Sequence, residues 1–166
     1  LPLQRIVCSS ALYINDGTVS LFSLTADKFC EKEILAKFCR AFHDIAKLPE
    51  VISWSDSGSD MPVLIDRAMQ YDLAAPWLFE EGERIKNMRF DNYVNRFHTR
   101  HLDLMDRFSQ YGASRREAMD VVASLYGLPG KTDVDGSMVS ELVSNNDWQT
   151  LSIYCESHVM NTWLIY

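Results

Sequence analysis

Three groups of residues have the types and spacing to do chemistry. Asp60 follows a short apolar run at residues 51–54 and a Ser55-Asp56-Ser57-Gly58-Ser59 turn, and stands just ahead of Pro62. A carboxylate after a strand and at the start of a helix lies where α/β sheets commonly carry functional groups. The plainer alternative is an N-cap for the helix beginning at Met61. Tyr154 and His158 are four residues apart on the last helical stretch, so they share one face while Glu156 points elsewhere. Such a pair is either a half-buried Tyr–His contact or a catalytic couple. The third group is Arg100-His101-Leu102-Asp103-Leu104-Met105-Asp106, where two acids lie among residues that read as core. A buried acid needs a partner, and a basic neighbour would supply one. His98 and His101 form H-x-x-H, but no downstream ligand pair follows to complete a zinc site.

Charge sets limits on partners. The formal net charge of −7 disfavours a general nucleic-acid-binding surface. Residues 84–107 run the other way, with six Lys or Arg against three Asp, a local net of +3 that also contains His98 and His101. That stretch reads either as a solvated loop of mixed charge or as a strip that guides a phosphate backbone. With 166 residues, 47% hydrophobic and 23% charged, the chain suits one domain with a real core. It holds no apolar run of the roughly 18 residues that a bilayer needs, and no basic-then-apolar leader. Cys8, Cys30, Cys39 and Cys155 are scattered without a C-x-x-C pair, as reduced thiols of a cytoplasmic protein would be. The opening Leu-Pro-Leu reads as the end of a loop.

The elements that must position these groups follow from pattern. Residues 5–14 and 18–24 read as strands joined at Asn15-Asp16-Gly17, a hairpin signal. Ile34, Phe38, Ala41 or Phe42, and Ile45, with Leu35, Cys39 and Ala46, predict a helix over 31–48. Residues 51–54 predict a strand and 61–71 a helix with Pro62 in its first turn. From 73 to 95 the pattern is lost, which predicts an irregular, mobile excursion. Ser114-x-x-Glu117 reads as a capping box opening a helix to Tyr126, stopped by Gly127-Leu128-Pro129-Gly130. Asp147 is the expected N-cap of a last helix running toward Tyr166. Hairpin, helix, strand and further helices make an α/β layered domain.

Taken in order, four segments resemble a known family. They are Trp54-Ser55-Asp56-Ser57-Gly58-Ser59-Asp60-Met61-Pro62-Val63-Leu64, then Asn95-Arg96-Phe97-His98-Thr99-Arg100-His101-Leu102-Asp103-Leu104-Met105-Asp106, then Gly127-Leu128-Pro129-Gly130-Lys131, then Tyr154-Cys155-Glu156-Ser157-His158-Val159-Met160-Asn161-Thr162. Their layout is similar to that of the predicted 3′–5′ exonucleases related to the polymerase B proofreading domain. The resemblance implies a ribonuclease H-like mixed sheet flanked by helices, here as a single domain over 1–166 that is incomplete at its N-terminus and lacks its first strand. It implies hydrolysis of phosphodiesters at the 3′ end of single-stranded DNA or RNA, with two divalent metals, Mg²⁺ or Mn²⁺, held by four carboxylates.

Residue by residue, the resemblance makes Asp60 the second-motif acid and metal ligand, and Tyr154 the tyrosine that orients the attacking water. It puts His158 where the third-motif acid stands, so catalysis and metal binding would fall to Asp60, Tyr154 and His158. Ser55 occupies the place of an asparagine and Ser59 that of an aromatic residue. Ser55, Arg96, Arg100 and His101 are the expected substrate contacts. The Asp-x-Glu of the first strand would precede Arg5. An imidazole at 158 favours softer ions such as Mn²⁺, Fe²⁺ or Zn²⁺ over Mg²⁺; a variant active on such a metal and a non-cleaving binding member are the two outcomes the resemblance implies.

Overall fold

A computed structural model describes residues 4–42, 48–130 and 134–166 of the chain. It is a mixed α/β structure whose contacts gather into two compact units, one built on residues 35–114 and the other on 6–34 with 115–166.

In the second unit, β1 (Cys8–Asn15) and β2 (Thr18–Thr25) pair antiparallel with Asn15 opposite Thr18. Asp16 and Gly17 both adopt positive φ, 47° and 77°, the pairing a two-residue hairpin turn requires. The expected hairpin is therefore present, but its alternation does not bury a face along its whole length. Tyr13, Ile14, Val19, Leu21 and Phe22 near the tip are all exposed, and burial begins at the base, reaching Thr25. The long helix α6 (Trp148–Ile165) packs on this hairpin, with α4 (Met119–Leu125) and α5 (Val139–Ser144) against α6. Asp147 caps α6 as expected, its carboxylate accepting from the Thr150 N–H at 3.1 Å. Met119, Val122, Ala123, Leu142 and Leu151 are buried here.

The helix expected from Ser114 and Glu117 begins later, at Met119. Ser114 instead gives its N–H to the Ser109 carbonyl, Glu117 pairs with Arg115 at 3.2 Å, and Ala118 is extended with no side-chain cap. The residue types of a capping box are there, but the backbone leading in is committed elsewhere. Gly127, with φ 67°, ends α4: its N–H reaches the Ser124 carbonyl and that of Leu128 reaches Ala123, a Schellman closure.

In the first unit, α1 (Glu31–Arg40) enters from the other unit and stops at Arg40, short of the predicted 48. Ala41 and Phe42 close it with bonds to the Phe38 and Cys39 carbonyls, and Leu48 is not helical. The Ile45 and Ala46 part of the expected helix lies outside the described residues. Phe42 turns into the core, stacked on Trp77 at 3.7 Å and 6°. Tyr93 sits edge-on to Trp77 at 5.3 Å, and Leu78 and Met88 complete the cluster. The segment 73–95 is irregular as predicted, holding one short 3-10 turn at Lys86–Arg89. Yet Trp77, Leu78, Met88 and Tyr93 anchor it in the core, because burial does not require a helical or strand period.

Below this cluster run β3 (Val51–Ser53) and β4 (His101–Asp103), parallel and in register Val51 to His101. α2 (Asp60–Gln70) follows β3 and α3 (Leu104–Phe108) follows β4. The described strands thus form two two-stranded sheets, one antiparallel and one parallel.

Candidate acidic and basic site of the parallel strands

Both parallel strands end at the same edge. Ser53 pairs in register with Asp103, so the 55–60 turn and the start of α3 lie side by side at the carboxyl ends of β3 and β4. That is where α/β sheets carry ligands and catalytic groups. Asp103 joins the two loops. It caps α3, accepting from the Met105 N–H at 3.0 Å, and it also accepts from the Ser55 N–H at 2.8 Å, the Ser57 N–H at 3.1 Å and the Ser57 hydroxyl. Burial works to raise its pKa, but these donors outweigh it and hold the carboxyl below its ordinary value. The bond from Ser55 goes with that residue's left-handed backbone, φ 68°.

Asp60 is the first residue of α2, not its N-cap; Ser59 precedes the helix and sends its hydroxyl back to the Ser55 carbonyl at 2.7 Å. The carboxylate of Asp60 is exposed at the positive end of the helix. Asp56 lies behind it, half-buried. Desolvation, the charges of Asp60 and Asp103, and a hydrogen bond with Asp60 push Asp56 well above the usual carboxylate range. Asp56 and Asp60 thus form a close pair of carboxyl groups in which Asp56 is harder to ionise than a solvated carboxyl would be.

Asp106 finds the basic partner expected for it: Arg96 Nη2 stands 2.7 Å from its Oδ1, with the acid side chain 6% exposed and the arginine 43%. His101 is buried, its Nε2 2.9 Å from the Ser53 hydroxyl. Burial pushes this imidazole below its ordinary range against the pull of Asp103 and Asp106. Arg100 turns inward, donating to the Leu48 carbonyl at 3.2 Å and pairing with Asp91 at 3.5 Å. His98 Nδ1 accepts from the Asn92 N–H at 3.0 Å. Beside these groups is a cavity of about 150 Å³ with an apolar side including Met61, Ile65 and Leu78 and a polar end of Arg96, His101 and Asp106.

Tyr154 and His158 belong to the second unit, on α6, and meet edge to face with ring centres 4.7 Å apart. A Cβ built on Gly136 would stand 3.7 Å from the Tyr154 hydroxyl oxygen. Glu156 does point elsewhere, toward the hairpin, where it accepts from Ser23 at 2.6 Å and Ser152 at 3.0 Å. Asn161 of α6 donates to the Gly130 carbonyl at 2.6 Å, tying two of the four sequence segments together; Lys131 of that segment lies outside the described residues. The structure thus groups Ser55, Asp60, Arg96, Arg100 and His101 in one unit and Tyr154 with His158 in the other.

The donor set around Asp60 does not fit a two-metal centre. Among the described residues no three His, Cys, Asp or Glu side chains converge as a metal site. Asp103 spends its oxygens on N–H and O–H donors, and Asp106 faces a guanidinium. Sequence reasoning passed over Asp56 as one polar residue of a turn. The signal available was its place in the same short polar turn as Asp60, four residues before it.

A family described as predicted 3′–5′ exonucleases related to the exonuclease domain of PolB matches residues 1–166. No curated protein and no solved structure matches the chain. Among the described residues no helix is long and apolar enough to cross a membrane.

Proposed function

Because the chain belongs to the family of predicted 3′–5′ exonucleases related to the exonuclease domain of PolB, we propose that it engages the 3′ end of single-stranded DNA or RNA without assembling a two-metal hydrolytic centre from its own described residues. The observation that carries this reading is the commitment of the acids at the carboxyl ends of β3 and β4. Asp60 alone of the four offers an exposed carboxylate, while Asp56 is half-buried behind it and Asp103 and Asp106 are satisfied by protein donors. At the place of the third-motif acid stands His158, an imidazole where a phosphodiester site would need a carboxylate.

Of the proposed substrate contacts, Arg96 is partly exposed while paired with Asp106, whereas the Arg100 guanidinium and the His101 imidazole make their contacts within the fold and Ser55 acts through its backbone. The four free cysteines suit a reducing, cytoplasmic setting. A second reading, cleavage with Mn²⁺ or Mg²⁺ bound at Asp60, is favoured by the exposure of that carboxylate.

Binding is tested by fluorescence anisotropy of labelled single strands with a free 3′ end, in a chelator. The proposal expects saturable binding that weakens as salt rises. No binding to either DNA or RNA at low salt would sink it.

A further inference from the structure

The stretch just after the irregular segment and the turn after α3 bring aromatic and cationic side chains together. Phe97 is 62% exposed, an unusual place for a large apolar ring. Its ring centre is 4.7 Å from that of Tyr111, tilted by 58°. Arg96 lies 5.9 Å from the Phe97 ring and 5.6 Å from Tyr111, and Arg107 lies 5.9 Å from Tyr111 while donating to its hydroxyl at 2.7 Å. The arrangement is held in place from below. Asp106 pins one end of the Arg96 guanidinium. Ser109, 1% exposed, accepts from the Gly112 N–H and fixes a turn in which Gln110, Tyr111 and Gly112 all have positive φ, 50°, 59° and 92°. Two consecutive non-glycine residues in that conformation are unfavourable, and here they deliver Tyr111 to the two arginines.

We propose that Phe97, backed by Tyr111 and flanked by Arg96 and Arg107, is a stacking platform for an unpaired base of single-stranded nucleic acid. This rests on the nucleic-acid reading above and names the surface that would serve it. Aromatic faces beside cations are how proteins hold single strands without reading sequence, since every base has a π-face and every nucleotide a phosphate. The charge of the surface supports the same partner. Within 84–107 the local net is +3; with Arg96 paired to Asp106 and Arg100 turned inward on Asp91, the positive charge beside the rings is carried chiefly by Arg107 and the exposed part of Arg96. An acidic ligand fits there in a chain that is otherwise negative. A duplex keeps its bases stacked and cannot use the ring.

The test uses the whole chain and an oligothymidylate of about 15 nucleotides carrying one 2-aminopurine. Phe97→Ala is expected to weaken binding roughly 10-fold and to remove the fluorescence quenching that stacking causes, while Phe97→Trp retains both. Arg107→Gln is expected to lower the slope of log affinity against log salt by about 0.7, one phosphate contact. Wild-type protein that binds, with Phe97→Ala and Arg107→Gln both indistinguishable from it, would overturn the platform and leave the function standing. Binding of a blunt duplex as tightly as the single strand would do the same. Wild-type protein that binds no single strand removes both.

Discussion

Replacing Asp103 by asparagine removes one charge from the residue that joins the 55–60 turn to α3. Oδ1 serves the Ser55 and Met105 N–H groups, and Oδ2 serves the N–H and hydroxyl of Ser57. An asparagine keeps one acceptor oxygen but turns its NH₂ toward the other pair, so a donor meets donors. Hydrogen bonds to a charged acceptor contribute about 1.5–3 kcal/mol each. Ser57 is exposed and regains water, which reduces the loss. A net cost of about 2 kcal/mol follows, or roughly 5 °C in Tm for a chain of this size. The pH dependence identifies the cause. Asp103 titrates below its ordinary 3.8 in the folded protein, so its contribution is present above that value and is lost as pH falls through the depressed folded pKa. Urea denaturation of both proteins at pH 7 and then toward pH 3 should show the full deficit at neutral pH and a shrinking one in acid. Equal midpoints at pH 7, or a deficit undiminished in acid, would refute the reasoning.

Two other perturbations have definite expectations. Asp56→Asn should stabilise the protein at pH 7 and leave it unchanged near pH 3.5. The raised pKa of Asp56 means that its contribution is complete below 3.8 and is lost as pH rises through the folded value, a loss the amide does not suffer; destabilisation at pH 7 in the same urea titrations would contradict the raised pKa. Trp77→Ala, which empties the site stacked between Phe42 and Tyr93, should cost about 3–5 kcal/mol in urea denaturation and should expose the 73–95 segment to limited proteolysis.

What could be read from residue order was whatever depends on neighbours in the chain. The Asp16-Gly17 turn, the Asp147 cap and the helix carrying Tyr154 and His158 on one face are local facts, and each is in the structure. The pairing of β3 with β4 was not legible: three residues each, 50 positions apart (51 to 101), have no signature until Ser53 and Asp103 lie side by side. For the same reason Asp103 read as an acid in need of a basic partner, although the backbone of the 55–57 turn satisfies it. The box at Ser114 misled because residue types cannot report that Ser114 is held by Ser109. The Phe97–Tyr111 cluster depends on the left-handed backbone at Gln110 and Tyr111, a conformation no propensity favours.

The central claim is that this member of the family takes a 3′ end without cutting it. The direct measurement is a single-stranded DNA or RNA carrying its label on the 5′ end, incubated with the protein at concentrations where anisotropy shows it bound, with Mg²⁺ and separately with Mn²⁺, and resolved by length. The account predicts a bound strand of unchanged length in both metals. A ladder of products shortened from the 3′ end, abolished by Asp60→Asn, would contradict it and establish hydrolysis through Asp60 instead.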